Sequence, residues 1–314
     1  MLRYTLSRIL FAIPLLFGLS VGVFAYVRLI PGDPATAMLG VQANPELVAK
    51  LKEQYGFDQP LVQQYLLWLD HLAHGDLGIS FRTRLPVAPI IADRLPATLQ
   101  LMLGGLIIAL VIAIPLGYLA GTRYKSRLDH AISLVTLVLL GSPGFWLGTV
   151  LMVILALWSG VLPSQGYVTL HDDPGRSLRF MILPSLSIGL VVAPYLIRFV
   201  RGTVIEVMKE PFVPYADARG LQEGLIFWRY VTRNFLPQFV VVLGVVVGAL
   251  LAGSVAIEAL FNWPGMGRVF IGAVTERDYA LIQALILVYG LIFVTVNLVA
   301  EVAQAALDPR IRLR

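Results

Sequence analysis

The sequence predicts an all-α protein built on six membrane-spanning helices, with a small helical segment outside the bilayer. Three observations predict it. The 314 residues are 58% hydrophobic and only 14% charged, with a mean hydropathy of +0.80, a composition that suits a polytopic membrane protein. Six stretches carry no charge: Ile9 to Val27, Leu95 to Thr122, Ala131 to Leu170, Phe180 to Ile197, Asn234 to Ile257 and Tyr279 to Ala300. At about 1.5 Å per residue, each is long enough for a hydrocarbon core about 30 Å thick. Finally, charge is sorted between them. With the amino terminus inside, 14 of the 24 Lys and Arg but only 7 of the 19 acids lie inside, so the inner balance is +7 and the outer one negative. That is the positive-inside bias. The overall charge of +5 therefore records topology, and nucleic acid is not an expected partner.

Taken in order, residues 1–30 are an anchor helix. Arg3 and Arg8 precede the first apolar run, which ends in "YVRLIPGDP" and not in a small-residue cleavage site, so an uncleaved signal anchor is expected. Residues 31–94 form an external segment, with helical periodicity in "PELVAKLKEQYG" and "PLVQQYLLWLDHLAHG". Residues 95–314 form the core domain. Its longest run, Ala131 to Leu170, is expected to be one helix, bent at Pro143 and leaving the membrane near Gly160. A polar outer loop, "VLPSQGYVTLHDDPGRSLRF", follows, and the stretch 202–234 is a charged segment on the inner side.

Several familiar chemistries lack their residues. No cysteine is present, so disulfides, thiolate metal sites and catalytic thiols are excluded. No G-x-x-x-x-G-K-[ST] or H-E-x-x-H occurs, so no Walker A loop hydrolyses ATP here and no zincin site is formed. "GLSVG" at Gly18 to Gly22 matches G-x-S-x-G, but that motif works on a strained strand-to-helix turn, and this copy lies inside a spanning helix. His71 and His74 stand three apart on an expected helix and are read as a surface or core pair, with no metal. Ionisable residues touch the spans only at Glu258 and Glu301, at their ends, which argues against an ion relay. Glycines four apart, at Gly18 and Gly22, Gly117 and Gly121, Gly144 and Gly148, and Gly244 and Gly248, are expected to let helices approach closely.

The inner segment "RFVRGTVIEVMKEPFVPYADARGLQEGLIFWRYVTRNFLP" puts Leu221, Leu225 and Trp228 on one helical face and Asp217, Glu223, Arg229 and Arg233 elsewhere. Composition alone favours a helix lying on lipid headgroups. The wider context supplies a second reading. Ten motifs in sequence order span nearly the whole chain: the opening "MLRYTLSRILFAIPLLFGLSVGVFAYVRLIPGDP", then "QYGFDQPLVQQYLLWL", "GDLGISF", "RLPATLQL", "GSPGFWLG", "ADARGL", "RNFLP", "EALFNWPGMGR", "RDYALIQA" and "LDPRIR". Together they resemble the inner-membrane permease subunits of binding-protein-dependent ABC importers, nearest the branch that imports dipeptides, oligopeptides, glutathione and nickel.

The resemblance implies a type I ABC importer permease fold and a multi-pass chain in the bacterial inner membrane, both termini cytoplasmic. It implies ATP-driven uptake of peptides delivered by a periplasmic binding protein, with glutathione or nickel as alternatives. The partners it implies are a related second permease, two cytoplasmic ATPase subunits, the binding protein and the lipid bilayer. ATP and Mg would be bound by the ATPases, with no cofactor and no catalytic residue in this chain. The family's coupling loop, the EAA loop, maps onto Tyr215, Ala216, Asp217, Ala218, Arg219, Gly220 and Leu221, with Ala216, Ala218, Arg219 and Gly220 matching its pattern and Gly220 expected at a tight turn that a side chain would obstruct. Pro214 and Tyr215 replace the acid and first alanine that name the loop, and the interval from Gly220 to Pro237 is one residue short. One residue rotates the following helix by about 100°. Glu258, Phe261, Asn262, Trp263 and Pro264 are the candidate outer gate or binding-protein contact, with a re-entrant packing loop as the equal alternative. A stand-alone carrier or channel is the competing class.

Overall fold

A computed structural model describes residues 2–29, 34–39, 44–211, 213, 215, 218–220 and 232–308. Among the described residues the regular elements are helices, and the only extended pairing is a single bridge between Ile79 and Pro86. The helices are α1 (Leu2–Leu29), α2 (Pro34–Leu39), α3 (Pro45–Tyr55), α4 (Leu61–Ala73), α5 (Val87–Thr122), α6 (Arg127–Gly141), α7 (Gly144–Met152), α8 (Pro174–Met208), α9 (Thr232–Leu260), α10 (Met266–Glu276) and α11 (Tyr279–Leu307). Five are long and apolar enough to cross a membrane: α1, α5, α8, α9 and α11. The sixth candidate span is a broken one. The single bent helix expected from Ala131 onward is instead α6 followed by α7, which meet at 105°. Pro143 has no N–H to give and forces the residue before it out of the helical region; Ser142 is accordingly extended, at φ −94° and ψ 127°. From α7 the chain enters a π turn, Val153–Trp158, and leaves it at Gly160, whose φ is +65°.

The residues group into two compact units, a core unit of 1–9, 99–263 and 295–314 and an accessory unit of 10–98 and 264–294. In the core unit α8 is central. Its most apolar window is 61% buried against 17% for α1, and it packs against α6, α7 and α9. Small residues set the distances. A Cβ on Gly117 would stand 2.7 Å from the Val200 Cβ and 2.9 Å from the Ile197 carbonyl oxygen, and one on Gly121 would stand 2.6 Å from the Val204 Cβ. These glycines hold α5 against α8, as helices in lipid require. Gly148 meets Leu260 and Ile257 in the same way, and Gly244 meets Asn297 and Ala300. Gly18 and Gly22 differ, since nothing among the described residues stands within 4 Å of their Cβ positions.

In the accessory unit the two helices read from periodicity are present as α3 and α4. Asn44 caps α3 by accepting the Leu47 N–H at 2.7 Å, Pro45 opens it, and Gly56 closes it at φ +66°. Tyr65 and Trp68 of α4 set their rings 5.2 and 5.8 Å from Phe24 of α1. Ser20, the centre of "GLSVG", donates to the Phe17 carbonyl and sits 2.8 Å from the Tyr65 hydroxyl inside α1, so its hydroxyl is engaged in helix packing. The stretch after Pro264 contains α10. Met266 and Ala273 of α10 share a buried apolar cluster with Val87, Ile91, Leu281 and Leu285. That shared core is why residues 264–294 group with the external segment and not with the domain of residues 95–314 read from sequence.

Candidate functional site

The candidate coupling segment begins where α8 ends. Lys209 closes that helix through backbone bonds to Glu206 and Val207, the Glu210 N–H donates to the Val207 carbonyl at 3.1 Å, and the Val213 N–H to Glu210 at 3.0 Å. Val213 is buried and holds the turn down. Beyond it the described residues face outward: Tyr215 is 67% exposed, and Ala218, Arg219 and Gly220 are exposed. The Arg219 guanidinium lies 5.2 Å from the Tyr215 ring centre, a cation–π contact that presents both side chains together. Gly220 has φ +74°, yet nothing stands within 4 Å of where a Cβ would be. The turn therefore needs glycine for its left-handed backbone, and not for want of room among the described residues. Ala216, Asp217 and Leu221 lie outside the described residues, as does the stretch 221–231 that holds Leu225 and Trp228.

What braces the root of this segment was not evident in the sequence. Arg201, two turns before the end of α8, makes a two-pronged ion pair with Asp129: Nε to Oδ1 at 2.6 Å and Nη2 to Oδ2 at 2.9 Å. The Asp129 side chain is 4% exposed. It also accepts the Lys125 N–H at 2.9 Å, while Ser126 caps α6 by accepting the Asp129 N–H at 3.2 Å. The Arg201 guanidinium packs 5.5 Å from the Tyr124 ring centre. Charge, fork geometry and an aromatic lid thus fasten α8 to the turn between α5 and α6. The available signal was Ser126-x-x-Asp129, a helix-start pattern, but its partner is 72 residues away.

The outer candidates divide differently. Glu258, Phe261 and Trp263 are buried to 1% exposure or less, so they line a packed interior and present little to a docked protein. The Trp263 N–H donates to the Glu258 carbonyl at 2.9 Å, Tyr167 packs edge-on to the Trp263 ring at 4.7 Å, and Gln165 reaches the Leu260 carbonyl at 3.2 Å. Asn262, at φ +54°, is exposed. Pro264 is half-buried in the accessory unit. His71 and His74 are exposed and held locally, by Asp76 at 3.0 Å and by the Asp70 carbonyl at 2.8 Å.

Comparison with known proteins supplies the context for this geometry. Residues 113–313 match the family described as binding-protein-dependent transport system inner membrane component, and residues 1–102 match the N-terminal region of such membrane components. The chain is 36% identical over 317 residues to the glutathione transport system permease protein GsiC of Escherichia coli K12, covering all of both chains. It is 33% identical over 314 residues to the oligopeptide transport system permease protein AppB of Bacillus subtilis 168, covering 99% of each. Among solved structures, an inward-facing MetNI methionine ABC transporter chain aligns with a TM-score of 0.57 at 15% identity, over 70% of this chain and 96% of that one, a likeness of fold. The buried α8, its ion-pair brace and the exposed turn beyond it thus belong to a multi-pass permease subunit, and the chain is a member of the binding-protein-dependent transport system inner membrane component family.

Proposed function

We propose that this permease carries short peptides inward, in a complex with a related second permease, two ATPase subunits that bind ATP and Mg, and an external solute-binding protein. The observation that carries the substrate class is the pair of relatives named for glutathione and for oligopeptides, because glutathione is itself a modified tripeptide. Both termini lie in the cytoplasm on this reading, which places the turn at Tyr215 to Gly220 inside and the segment 31–94 outside. The exposed Tyr215, Arg219 and Gly220 are the surface that docks on an ATPase. Closure of the ATPase pair moves that surface, and α8, fastened by Asp129 and Arg201, passes the movement to the spans. A nearly complete switch between two states needs about 5.5 kcal/mol of differential binding, which ATP and the loaded binding protein supply together.

Reconstitution tests this directly. The four kinds of subunit in proteoliposomes should accumulate a labelled dipeptide only with ATP and binding protein present. Uptake by the single chain alone would overturn the importer reading in favour of a carrier or channel. Accumulation of glutathione without other peptides would narrow the substrate to that tripeptide.

A further inference from the structure

We propose that the accessory unit contains a binding site for short peptides bearing a free carboxylate, in a cavity walled by the C-terminal end of α1, by α3 and α4, and by the start of α11. The choice of peptide as ligand rests on the substrate class proposed above; the site itself rests on the geometry. The cavity has a volume of about 620 Å³, within the range of small-molecule pockets. Its cation is Arg28. Nε and Nη2 of Arg28 both donate to Gln64 Oε1, at 3.1 and 2.9 Å, and its guanidinium lies 4.3 Å from the Phe24 ring centre and 6.0 Å from that of Phe57. An amide oxygen and two ring faces leave its charge uncompensated by any of these partners, and a carboxylate is the group that a guanidinium fork accepts best.

A second, independent observation lies in the same wall. Tyr279 and Gln283 line the cavity on α11, with 3% and 7% exposure. Among the described residues, the Tyr279 hydroxyl and Gln283 Nε2 are buried without a hydrogen-bond partner. Such groups cost about 1–3 kcal/mol each when left unpaired; both atoms are closed off from the cavity as the side chains stand, so each meets an occupant's oxygen only when its side chain turns into the space. A guanidinium, an amide N–H and a phenol all donate to oxygen, and peptide carbonyls and a terminal carboxylate offer it. On the exposed rim, Glu53 and Asp76 supply the opposite charge, suited to the ammonium end, while Trp68 and Phe57 offer apolar area for side chains. Donors for a carboxylate, acids for an amine and aromatic walls between them describe a zwitterionic peptide.

The test is calorimetric titration of the full chain, in lipid nanodiscs, with the dipeptide Leu-Phe and with its C-terminal amide. A charge-assisted pair predicts that the free acid binds at least about tenfold more tightly than the amide. Arg28→Gln should bring both forms to the same weak affinity, and Gln283→Leu should weaken both alike. Gln63→Trp, at an exposed wall position, fills the cavity while leaving the Arg28–Gln64 bonds in place, and should abolish binding even if Arg28→Gln misfolds. Equal binding of acid and amide by the parent chain, unchanged binding by Gln63→Trp, or displacement of the peptide by oleate with no dependence on Arg28 overturns the site. If the assembled importer takes up Leu-Phe while the purified chain binds none, the site falls and the transport reading stands. If the chain binds as predicted and the importer moves no peptide, the transport reading falls and the site stands.

Discussion

The ion pair between Asp129 and Arg201 invites the sharpest perturbation. Arg201→Met keeps much of the apolar stem and removes the guanidinium, so Asp129, with its side chain 4% exposed, loses both short bonds and keeps the Lys125 N–H at 2.9 Å and a long Ser133 contact at 3.4 Å. Breaking one partner of a buried pair costs about 3–5 kcal/mol, and the lower end applies because the Arg201 side chain is 28% exposed. The loss comes mainly from the stranded carboxylate. Removing both charges, as Asp129→Leu with Arg201→Met, should therefore recover at least half of it, since an apolar pair of similar volume avoids the desolvation penalty. Reversible unfolding of the purified chain by SDS in mixed micelles, followed by circular dichroism, measures both variants. A single variant within about 0.5 kcal/mol of the parent, the range of ordinary surface changes, would refute the reasoning. So would a double variant no more stable than the single one. In the assembled importer Arg201→Met should also uncouple ATP hydrolysis from uptake at temperatures where it remains folded, because α8 is then unfastened.

Other outcomes follow from the same packing. Gly220→Val should cost about 1–2 kcal/mol of local strain at φ +74° and suppress uptake by the reconstituted importer, whereas Gly220→Asn, which tolerates that backbone better, should retain more of it. Gly117→Ala should destabilise the chain by about 1–3 kcal/mol in SDS unfolding, because its Cβ would meet Val200 and the Ile197 carbonyl at under 3 Å; Gly18→Ala, facing open space, should be neutral or slightly stabilising. Asp278 is 2% exposed, accepts the Ser80 hydroxyl at 2.5 Å and the Phe81 N–H at 3.1 Å, and caps α11 at the Leu281 N–H. Asp278→Ala should cost at least about 1–2 kcal/mol and speed amide exchange at Phe81 and Leu281 first. Ser20→Ala removes only helix-packing bonds and should leave uptake intact.

Much of this was legible from residue order alone. The spans followed from apolar length, and α3 and α4 from periodicity with a cap, a proline and a closing glycine. Other features were not. The 105° break at Pro143 was underestimated because a proline signals interruption without its angle, which neighbouring helices decide. α8 runs from Pro174 to Met208, past both ends of its uncharged stretch, because charge marks where lipid stops and not where the backbone stops coiling. Phe261 and Trp263 left a contact surface and a packing loop equally open, because aromatic rings beside a turn serve either, and their burial was not legible from residue order.

By itself the sequence determined that the chain crosses a membrane repeatedly, which side its charges favour, and which family its motifs resemble, because these depend on composition and on residues close together in the chain. Only the tertiary structure decided that Arg201 belongs with Asp129 across 72 residues, that α10 shares a core with the base of α5, and that Arg28 meets Tyr279 and Gln283 around one cavity. Such pairings are set by which helix faces come together. In lipid that choice rests on close packing and on a few polar contacts, whose sequence signal is a single residue at each end.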